Sequence, residues 1–369
     1  MQTRMAVKKE NRNKVYAYIY KQGKTSRQEI AVNLGMSMPT VLQYTKELIE
    51  EGQIKEAGAY ESTGGRKAKS LTICPKVRMA VGLDITKKHV SILLIDLLGN
   101  IIDHKRERKL FEKTSEYFRQ LRSMVDEIVS KNNISCGQIL GIGVSVPGNV
   151  EEDQGKICNL HMLGLAELDF TEISCVMQYP CIFMNDANAA AVELKRQYKG
   201  NAIYLSLSDT VGGAVFIENR LYEGDNFRSA EIGHMRLIPE GRLCYCGKRG
   251  CVDPYCSALV LKNCVNADLE TFFSCLEKKE EKCMQVWDEY LNCLALVIHN
   301  LRFFMDCNII LGGYVGGYLE PHLTEIRKRV VELGHFEVSA EYIQTCSYKV
   351  EASALGAALQ HIDVYLKNM

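Results

Sequence analysis

The sequence predicts an α/β protein in two parts, a winged helix-turn-helix at the N-terminus and a larger two-lobed α/β body. Helix caps and glycines recur at helix-turn-helix spacing over residues 11–52, and strands alternate with helices from Met79 onward. Residues 1–78 carry 15 Lys and Arg against 7 Asp and Glu, whereas the remaining residues carry 30 against 38. A basic front end joined to an acidic body indicates that only the front end meets a polyanion.

The composition of the 369 residues is that of a soluble globular protein, with 47% hydrophobic and 24% charged residues. This balance excludes a disordered chain, and no apolar run approaches the roughly 18 residues that span a bilayer. The start of the chain is polar and basic, so we expect no secretory signal, no membrane partner and a cytoplasmic location. In that reducing compartment most of the 15 cysteines are expected to be small core residues.

The helix-turn-helix is predicted from three helices and their caps. Residues 11–22 place apolar side chains at helical spacing. Ser26 and Glu29 have the spacing of a capping box, which satisfies two backbone donors at the start of a second helix. Ser37 caps a third helix, which Gly52 ends. This order of helices and turns is typical of a DNA-binding helix-turn-helix.

Two candidate strands follow the third helix, at residues 53–56 and 69–73, and the polar loop between them forms the wing. The tip of the wing reads Gly-Gly-Arg-Lys and ends in Arg66 and Lys67. Glycines let the backbone approach DNA closely, and an arginine can enter a narrow minor groove. The alternative is a small helical domain with a solvated hairpin.

The third helix is the candidate recognition helix of this motif. Val41, Thr45 and Leu48 form its inward side, which leaves the opposite side for DNA. The amide of Gln43 can pair with an adenine edge, whereas Lys46 and Arg27 suit phosphates. The candidate DNA contacts are Arg27, Ser37, Thr40, Gln43, Lys46, Arg66 and Lys67.

From Met79 the alternation of strands and helices indicates the two-lobed body. Pro75 marks the boundary, so we assign the winged helix to residues 1–75 and the body to residues 76–369. Strands are predicted at 79–85, 90–98, 101–102, 139–144, 182–184, 202–207 and 214–217. Helices are predicted at 114–131, 186–198, 257–267, 281–304, 321–332 and 353–366.

The strongest local signal in the body is one histidine followed by three cysteines. His234, Cys244, Cys246 and Cys251 supply one imidazole and three thiolates, a full tetrahedral set for a structural zinc ion. Cys256 is a fifth thiol nearby and an alternative ligand. The spacing is not that of a zinc finger, so chance proximity of the four residues is the alternative.

With these motifs the chain resembles the ROK family (repressor, open reading frame, kinase), in particular its transcriptional regulators with an N-terminal winged helix. The resemblance covers almost the whole chain, and its most specific part is the CxCGxxGC run after His234. It implies an actin-like ATPase/sugar-kinase fold, with two lobes around a cleft, and zinc in the loop 234–251. The other matching segments are GGRKA in the wing, 146–150, 159–160, 185–190, 230–234, 311–313 and 354–358.

The chain departs from the kinase members of that family in both phosphate-binding segments. Those members resemble DxGGT and GTGxGGG, where glycines let backbone N–H groups converge on ATP phosphates. Residues 84–87 read DITK here, and residues 208–214 read SDTVGGA. Asp209 therefore puts a carboxylate where a polyphosphate would lie, which is unfavourable without a metal. We expect no kinase activity.

The residues implied to contact sugar are mostly retained. Asp186 occupies the position of the kinase base, and a carboxylate can also bind two adjacent sugar hydroxyls without catalysis. Asp253 is one methylene shorter than the usual Glu, which leaves the identity of the sugar open. Asn185 and Asp186 also suit capping of the following helix. The implied sugar contacts are Asn159, Asn185, Asp186, Glu231, His234 and Asp253.

Three functions are compatible with these residues. The first is a sugar-responsive repressor, released from double-stranded operator DNA by a sugar or sugar phosphate. The second is an ATP-dependent sugar kinase with an added DNA-binding domain, which the lost glycines disfavour. The third is a DNA-binding protein whose body only dimerises, which the retained Asp186 and Glu231 disfavour. Because one winged helix touches few bases, we expect a homodimer or tetramer on a palindromic operator.

Overall fold

The computed structural model describes residues 4–59, 69–192, 200–346 and 352–368. The N-terminal part is a winged helix-turn-helix, in which the central strand of a small sheet runs antiparallel to its two neighbours. Two predicted DNA contacts in the wing, Arg66 and Lys67, lie outside the described residues. The elements are α1 Arg4–Gln22, β1 Thr25–Ser26, α2 Arg27–Leu34, α3 Met38–Glu50, β2 Ile54–Ala59 and β3 Lys69–Ile73.

The caps predicted for the second and third helices are confirmed. Ser26 Oγ accepts a hydrogen bond from the backbone N–H of Glu29, whose carboxylate accepts one from the backbone N–H of Ser26. Gly35 ends α2 with a φ of 62°, a left-handed conformation that glycine adopts without strain. Ser37 Oγ accepts from the backbone N–H of Thr40 at the start of α3.

The first lobe of the body is built on a sheet with the strand order β11-β7-β4-β5-β6. In it β4, β7 and β11 are parallel, and β5 runs antiparallel to its neighbours. A small sheet of β8, β9 and β10 follows β7 in the chain. The described elements are β4 Met79–Ile85, β5 His89–Asp96, β6 Ile101–Arg108, α4 Ser115–Lys131, β7 Ile139–Val146, β8 Asn149–Glu151, β9 Lys156–Cys158, β10 Glu167–Asp169, α5 Phe170–Ser174, β11 Cys181–Asn185 and α6 Asp186–Val192.

The second lobe repeats that topology with the strand order β14-β13-β12-β15-β16. The strands β12, β15 and β16 are parallel, and β13 runs antiparallel to β12 and β14. The chain then returns, so that its last helix packs on the first-lobe sheet. The described elements are β12 Ala202–Leu207, β13 Val211–Ile217, β14 Arg220–Tyr222, α7 Asp253–Cys256, α8 Ala258–Val265, α9 Leu269–Glu277, α10 Glu281–Phe304, β15 Asn308–Gly312, α11 Gly313–Gly316, α12 Leu323–Leu333, β16 Ile343–Thr345 and α13 Ala352–Asn368.

The predicted winged helix and two-lobed α/β body are confirmed, with differences in particular elements. The helix predicted at 257–267 is α8, which begins after the extended Ser257 and ends where Asn266 takes a left-handed φ of 52°. The elements that were not predicted are the helices α5, α7, α9 and α11 and the strands β1, β8, β9, β10, β14, β15 and β16. The helix predicted at 186–198 is described as far as Val192. Among the described residues, no helix is long and apolar enough to cross a membrane.

Helix α13 holds α6 in place through a close approach of the two backbones. A Cβ atom at Gly356 of α13 would overlap the carbonyl oxygen of Ala189 in α6, so only glycine fits this crossing. Ser353 Oγ also donates a hydrogen bond of 3.1 Å to the carbonyl oxygen of Asp186. The first turn of α6 is therefore fixed from the far end of the chain.

The winged helix packs directly on the first lobe. The hydroxyl of Tyr20 in α1 donates a hydrogen bond of 3.2 Å to the carbonyl oxygen of Leu97, in the turn between β5 and β6. The N–H of Leu97 in turn donates to the carbonyl oxygen of Pro75 at 3.0 Å. Apolar side chains of the winged helix, the first-lobe sheet and α13 form one continuous cluster. A displacement of the first lobe would therefore also move the winged helix.

Candidate ligand pocket, metal centre and DNA-reading face

A cavity of about 410 Å³ lies between the two lobes. Its volume is in the range that holds a small-molecule ligand. Asn185 and Asp186 line it from the first lobe, and Glu231 lines it from the second. Three of the six residues implied to contact sugar are thus brought together.

Asn185 and Asp186 are placed by the junction of β11 and α6. Asn185 Oδ1 accepts hydrogen bonds from the N–H groups of Ala187 at 3.0 Å and Asn188 at 3.1 Å, so Asn185 is the helix cap. Its Nδ2 donates to the carbonyl oxygen of Gly148 at 3.1 Å. Asp186 Oδ1 accepts from Ala187 N–H at 2.9 Å. Capping and lining the cavity are therefore compatible roles for this pair.

Two carboxyl groups near the base of the cavity titrate close to neutral pH. Burial, followed by the charges of Asp84 and Glu231, raises the pKa of Asp186 to about 7. Burial also raises the pKa of Asp84 to about 6, although its Oδ1 accepts a 2.7 Å hydrogen bond from Ser145 Oγ. Above a pH of about 7, Asp186 is a carboxylate that can accept hydrogen bonds from hydroxyl groups.

The rim of the cavity is acidic. Glu152 and Glu223 line it together with Glu231, and Arg220 is the one cation among the described lining residues. Carboxylates accept hydrogen bonds from hydroxyls and repel phosphate, so this rim favours an uncharged polyhydroxyl ligand. The sequence does not single out Glu223 and Arg220, because they belong to no recognisable motif. Asn149, a further lining residue, lies in the matching segment 146–150 and could have been found there.

A second, much smaller cavity of about 70 Å³ adjoins the first, and Asp186 lines both. The altered segments 84–87 and 208–214 contribute to its walls. Pockets that hold drug-sized ligands usually measure about 300–1,000 Å³. This space is smaller than that range.

An ion pair and an aromatic ring fill the region around that smaller cavity. Lys262 Nζ lies 2.5 Å from Asp209 Oδ1. The ring of Tyr314 lies between two cations, with Lys262 Nζ 5.3 Å and the Arg106 guanidinium carbon 5.2 Å from its centre. Asp209 is thus neutralised within the protein, and Lys262 is not directed at a ligand.

The other three residues implied to contact sugar do not line the larger cavity. Asn159 is exposed, with a φ of 59°. Asp253 is buried, and its Oδ2 accepts a 2.7 Å hydrogen bond from Val211 N–H. His234 faces the cysteine loop. Their contact with a sugar stays a prediction that requires a different conformation of the cleft.

The predicted metal ligands form one cluster. The ligand atoms of His234, Cys244, Cys246 and Cys251 all lie within 4.8 Å of one another. Cys246 Sγ is 3.8 Å from Cys251 Sγ, and His234 Nδ1 is 3.8 Å from Cys244 Sγ. Zinc–sulfur bonds of about 2.3 Å at tetrahedral angles place two sulfurs about 3.8 Å apart. The four residues therefore fit a tetrahedral metal ion, whereas the alternative ligand Cys256 is outside the group.

Tyr245 adds a contact to this cluster that the sequence did not indicate. Its hydroxyl lies 3.1 Å from His234 Nε2, and the two rings meet edge to face. A hydrogen bond at Nε2 orients the imidazole so that Nδ1 faces the three thiols. Tyr245 is therefore a positioning residue for the metal cluster.

Helix α3 exposes a mixed polar and apolar face. Gln43 and Lys46 are exposed, as predicted for DNA contacts, and Ser37 and Thr40 lie at the helix start, where their side-chain oxygens are 2.8 Å apart. Leu42 is also exposed, with 49% of its surface accessible. An exposed leucine on a recognition helix suits contact with a thymine methyl group.

Arg27 has a different environment from the other predicted DNA contacts. Its Nε donates to Thr45 Oγ1 at 3.0 Å, and a terminal nitrogen lies 2.9 Å from Glu56 Oε1. The guanidinium thus joins α2 to α3 and β2 inside the winged helix. Arg27 would have to leave these partners to bind a phosphate. The sequence did not indicate that Arg27 has partners within the winged helix.

Known proteins with similar sequences or structures include proteins named as repressors or transcriptional regulators. The chain is 31% identical over 261 residues to the xylose repressor of Bacillus subtilis, covering 69% of this chain and 67% of that protein. It is 27% identical to the N-acetylglucosamine repressor of Escherichia coli O157:H7, over 67% of this chain and 62% of that protein. The crystal structure of a ROK family transcriptional regulator, a homologue of the E. coli MLC protein, superposes with a TM-score of 0.74 at 20% identity, over 98% of both chains.

Two family models match separate parts of the chain. Residues 8–55 match a winged helix-turn-helix DNA-binding domain. Residues 80–363 match the ROK family, which is more than half of the chain. The chain is a member of the ROK family with an N-terminal winged helix-turn-helix.

Proposed function

We propose that this protein is a sugar-responsive transcriptional repressor. It binds operator DNA through α3 and the wing, and it releases the operator when a sugar occupies the cavity between the lobes. The observation that carries the proposal is that one chain joins an exposed helix-turn-helix face to a cavity between two lobes that is lined by Asn185, Asp186 and Glu231. The names of the xylose and N-acetylglucosamine repressors support the same function.

In this proposal the body binds sugar without phosphorylating it. The small volume of the cavity beside Asp186 and the missing glycines at 84–87 oppose the binding of ATP phosphates. Lys87 and Lys88 also line this cavity, but they do not supply the converging backbone N–H groups that such glycines allow. Asp186 then acts as a hydroxyl acceptor and not as a catalytic base. The acidic rim favours an uncharged sugar over a sugar phosphate.

A structural zinc ion bound by His234, Cys244, Cys246 and Cys251 is part of the proposal. Three thiolates and one imidazole leave no open coordination position, so the ion would hold the loop and not take part in chemistry. The loop is next to the cleft in the chain, because Glu231 of the cavity lies three residues before His234. Closure of the cleft on a sugar would therefore move the metal loop.

The proposed domains are residues 1–75 for DNA binding and 76–369 for effector binding and assembly. A homodimer or tetramer would place two winged helices on a palindromic operator, with Arg66 of each in a minor groove. The contact of Tyr20 with Leu97 offers the path by which lobe movement changes the spacing of the two winged helices. A changed spacing no longer matches the two half-sites, and affinity for the operator falls.

The test is an operator-binding assay on DNA selected by the wild-type protein, with a sugar identified by thermal shift. Asp186→Ala should leave DNA binding intact and remove the sugar response. Arg66→Ala should weaken DNA binding with and without sugar. Asp153→Ala, an exposed acidic neighbour outside the cavity lining, is the matched control and should behave as wild type. A normal sugar response in Asp186→Ala would show that the effector site is wrong.

A further inference from the structure

Three helix ends in the second lobe bring together a second group of thiols, remote in sequence from the His234 cluster. Cys264 lies at the end of α8, Cys275 at the end of α9 and Cys283 in the first turn of α10. The ligand atoms of Cys275, Glu280 and Cys283 all lie within 4.8 Å of one another. Cys264 Sγ lies 4.0 Å from Cys283 Sγ. Two sulfurs and one carboxylate oxygen therefore share one small volume, and a third sulfur, that of Cys264, lies beside Cys283.

The turn between α9 and α10 is built to bring these donors together. The N–H of Glu280 donates to the carbonyl oxygen of Cys275 at 3.1 Å, and the N–H of Lys279 donates to that of Leu276 at 2.9 Å. This pair of bonds is a Schellman motif. It holds Lys279 at a φ of 59°, an unfavourable conformation for a lysine. The backbone thus accepts strain in a turn that folds Glu280 and Cys283 back onto Cys275.

The third helix end is tied to the same place. Lys282 Nζ donates a 2.6 Å hydrogen bond to the carbonyl oxygen of Cys264, which joins α8 to the first turn of α10. Cys264 and Cys283 are buried, Cys275 is half-buried and Glu280 is exposed. A cation could therefore enter from the Glu280 side and meet sulfur ligands inside.

We propose that Cys275, Cys283 and Glu280 form a second metal site, for a thiophilic divalent cation such as zinc, with Cys264 beside Cys283 as the candidate fourth ligand. The 4.0 Å between Cys264 Sγ and Cys283 Sγ is close to the about 3.8 Å between two sulfurs on one zinc ion. It is about twice the S–S length of roughly 2.05 Å in a disulfide. A disulfide would also use only two of the thiols and would leave Glu280 without a role.

A metal ion that binds thiols displaces their protons, so occupancy of this site would release protons. Occupancy would join α8, α9 and α10 into one unit.

The experiment counts zinc in reduced, full-length protein by elemental mass spectrometry. Wild type should hold about two zinc ions per chain, and Cys275→Ser and Glu280→Ala should each hold about one. Cys246→Ser, which removes a ligand of the other cluster, should also retain about one. Cys175→Ser removes an exposed thiol of the first lobe and is the matched control, with about two expected.

A second measurement keeps the proposal testable if a variant folds poorly. Cobalt(II) added to reduced wild type should give thiolate-to-cobalt absorption bands, and those bands should weaken in Glu280→Ala, whose side chain is exposed. Zinc content of about one in wild type, unchanged in Cys275→Ser, would overturn the site. A Cys264–Cys283 disulfide in protein prepared without oxidant, found by non-reducing peptide mapping, would also overturn it.

Discussion

Lys262 Nζ lies 2.5 Å from Asp209 Oδ1 in the cleft, beside the smaller cavity that Asp209 lines. Both side chains keep some solvent exposure, so the pair itself contributes little stability. Its consequence is electrostatic and steric. The ion pair takes up space beside the smaller cavity, and the ammonium of Lys262 is already paired with a carboxylate.

We therefore expect no sugar-kinase activity. With ATP, magnesium and common hexoses, phosphate transfer should not exceed that of a sample without protein. Asp209→Ala should not create activity, because residues 84–87 still lack the glycines that converge on phosphate. The measurement is a coupled assay for ADP. Turnover in the wild type that disappears in Asp186→Asn would contradict this expectation.

Asp186→Asn should stabilise the protein while removing its response to sugar. Folding raises the pKa of Asp186 from 3.8 to about 7, so between these values the folded state binds more protons and stability falls as the pH rises. Asparagine keeps the shape and has no charge to bury. At pH 8 we expect Tm to rise by roughly 2–4 °C, and below pH 4 the difference should vanish. A lower Tm at pH 8 would contradict the assigned pKa.

The same titration predicts the pH dependence of sugar binding. The carboxylate form of Asp186 accepts hydrogen bonds from sugar hydroxyls, and Asp84 and Glu231 are the charges that raise its pKa. Affinity should therefore fall as the pH drops through about 7, roughly tenfold by pH 6 if only the carboxylate binds. Calorimetric titration between pH 6 and 8 measures this. An affinity independent of pH over that range would place the sugar away from Asp186.

Cys246→Ser should remove one zinc ion per chain relative to wild type and destabilise the second lobe. Cys246 is exposed, so the substitution itself leaves no cavity, and loss of stability reports loss of the metal. Tyr245→Phe removes only the hydroxyl that orients His234 and should weaken metal affinity by about 10- to 100-fold without abolishing it. Competition with a chromophoric chelator gives both values. Equal zinc affinity in Cys246→Ser and wild type would remove Cys246 from the ligand set.

Two exposed residues of α3 should differ in how they affect DNA binding. Gln43→Ala should cost about 1–3 kcal/mol on the selected operator and little on random DNA, because an amide reads a base edge. Lys46→Ala should weaken binding to both and lower the salt slope by about 1. Fluorescence anisotropy at several salt concentrations measures these effects.

Arg27→Ala should lower Tm, since its guanidinium binds Thr45 and Glu56. An unchanged Tm would instead favour Arg27 as a phosphate contact.

The sequence alone determined the winged helix and the histidine–cysteine cluster. Helix caps such as Ser26 with Glu29 act over three residues, through backbone groups that have no other partner, so their spacing is visible in the sequence. The ligands from His234 to Cys251 lie within one short loop. The resemblance of the motifs to the ROK family, and the lost phosphate glycines, were equally local signals.

Only the tertiary structure decided which residues meet across the cleft. Asn185, Asp186 and Glu231 line one cavity with Glu223, whereas Asp253 is held by Val211 N–H outside it. The tertiary structure also decided that Arg27 pairs with Glu56 and that three helix ends meet near Cys264. Such contacts depend on how strands and helices pack over long sequence separations, and no periodicity or short spacing in the chain encodes that packing.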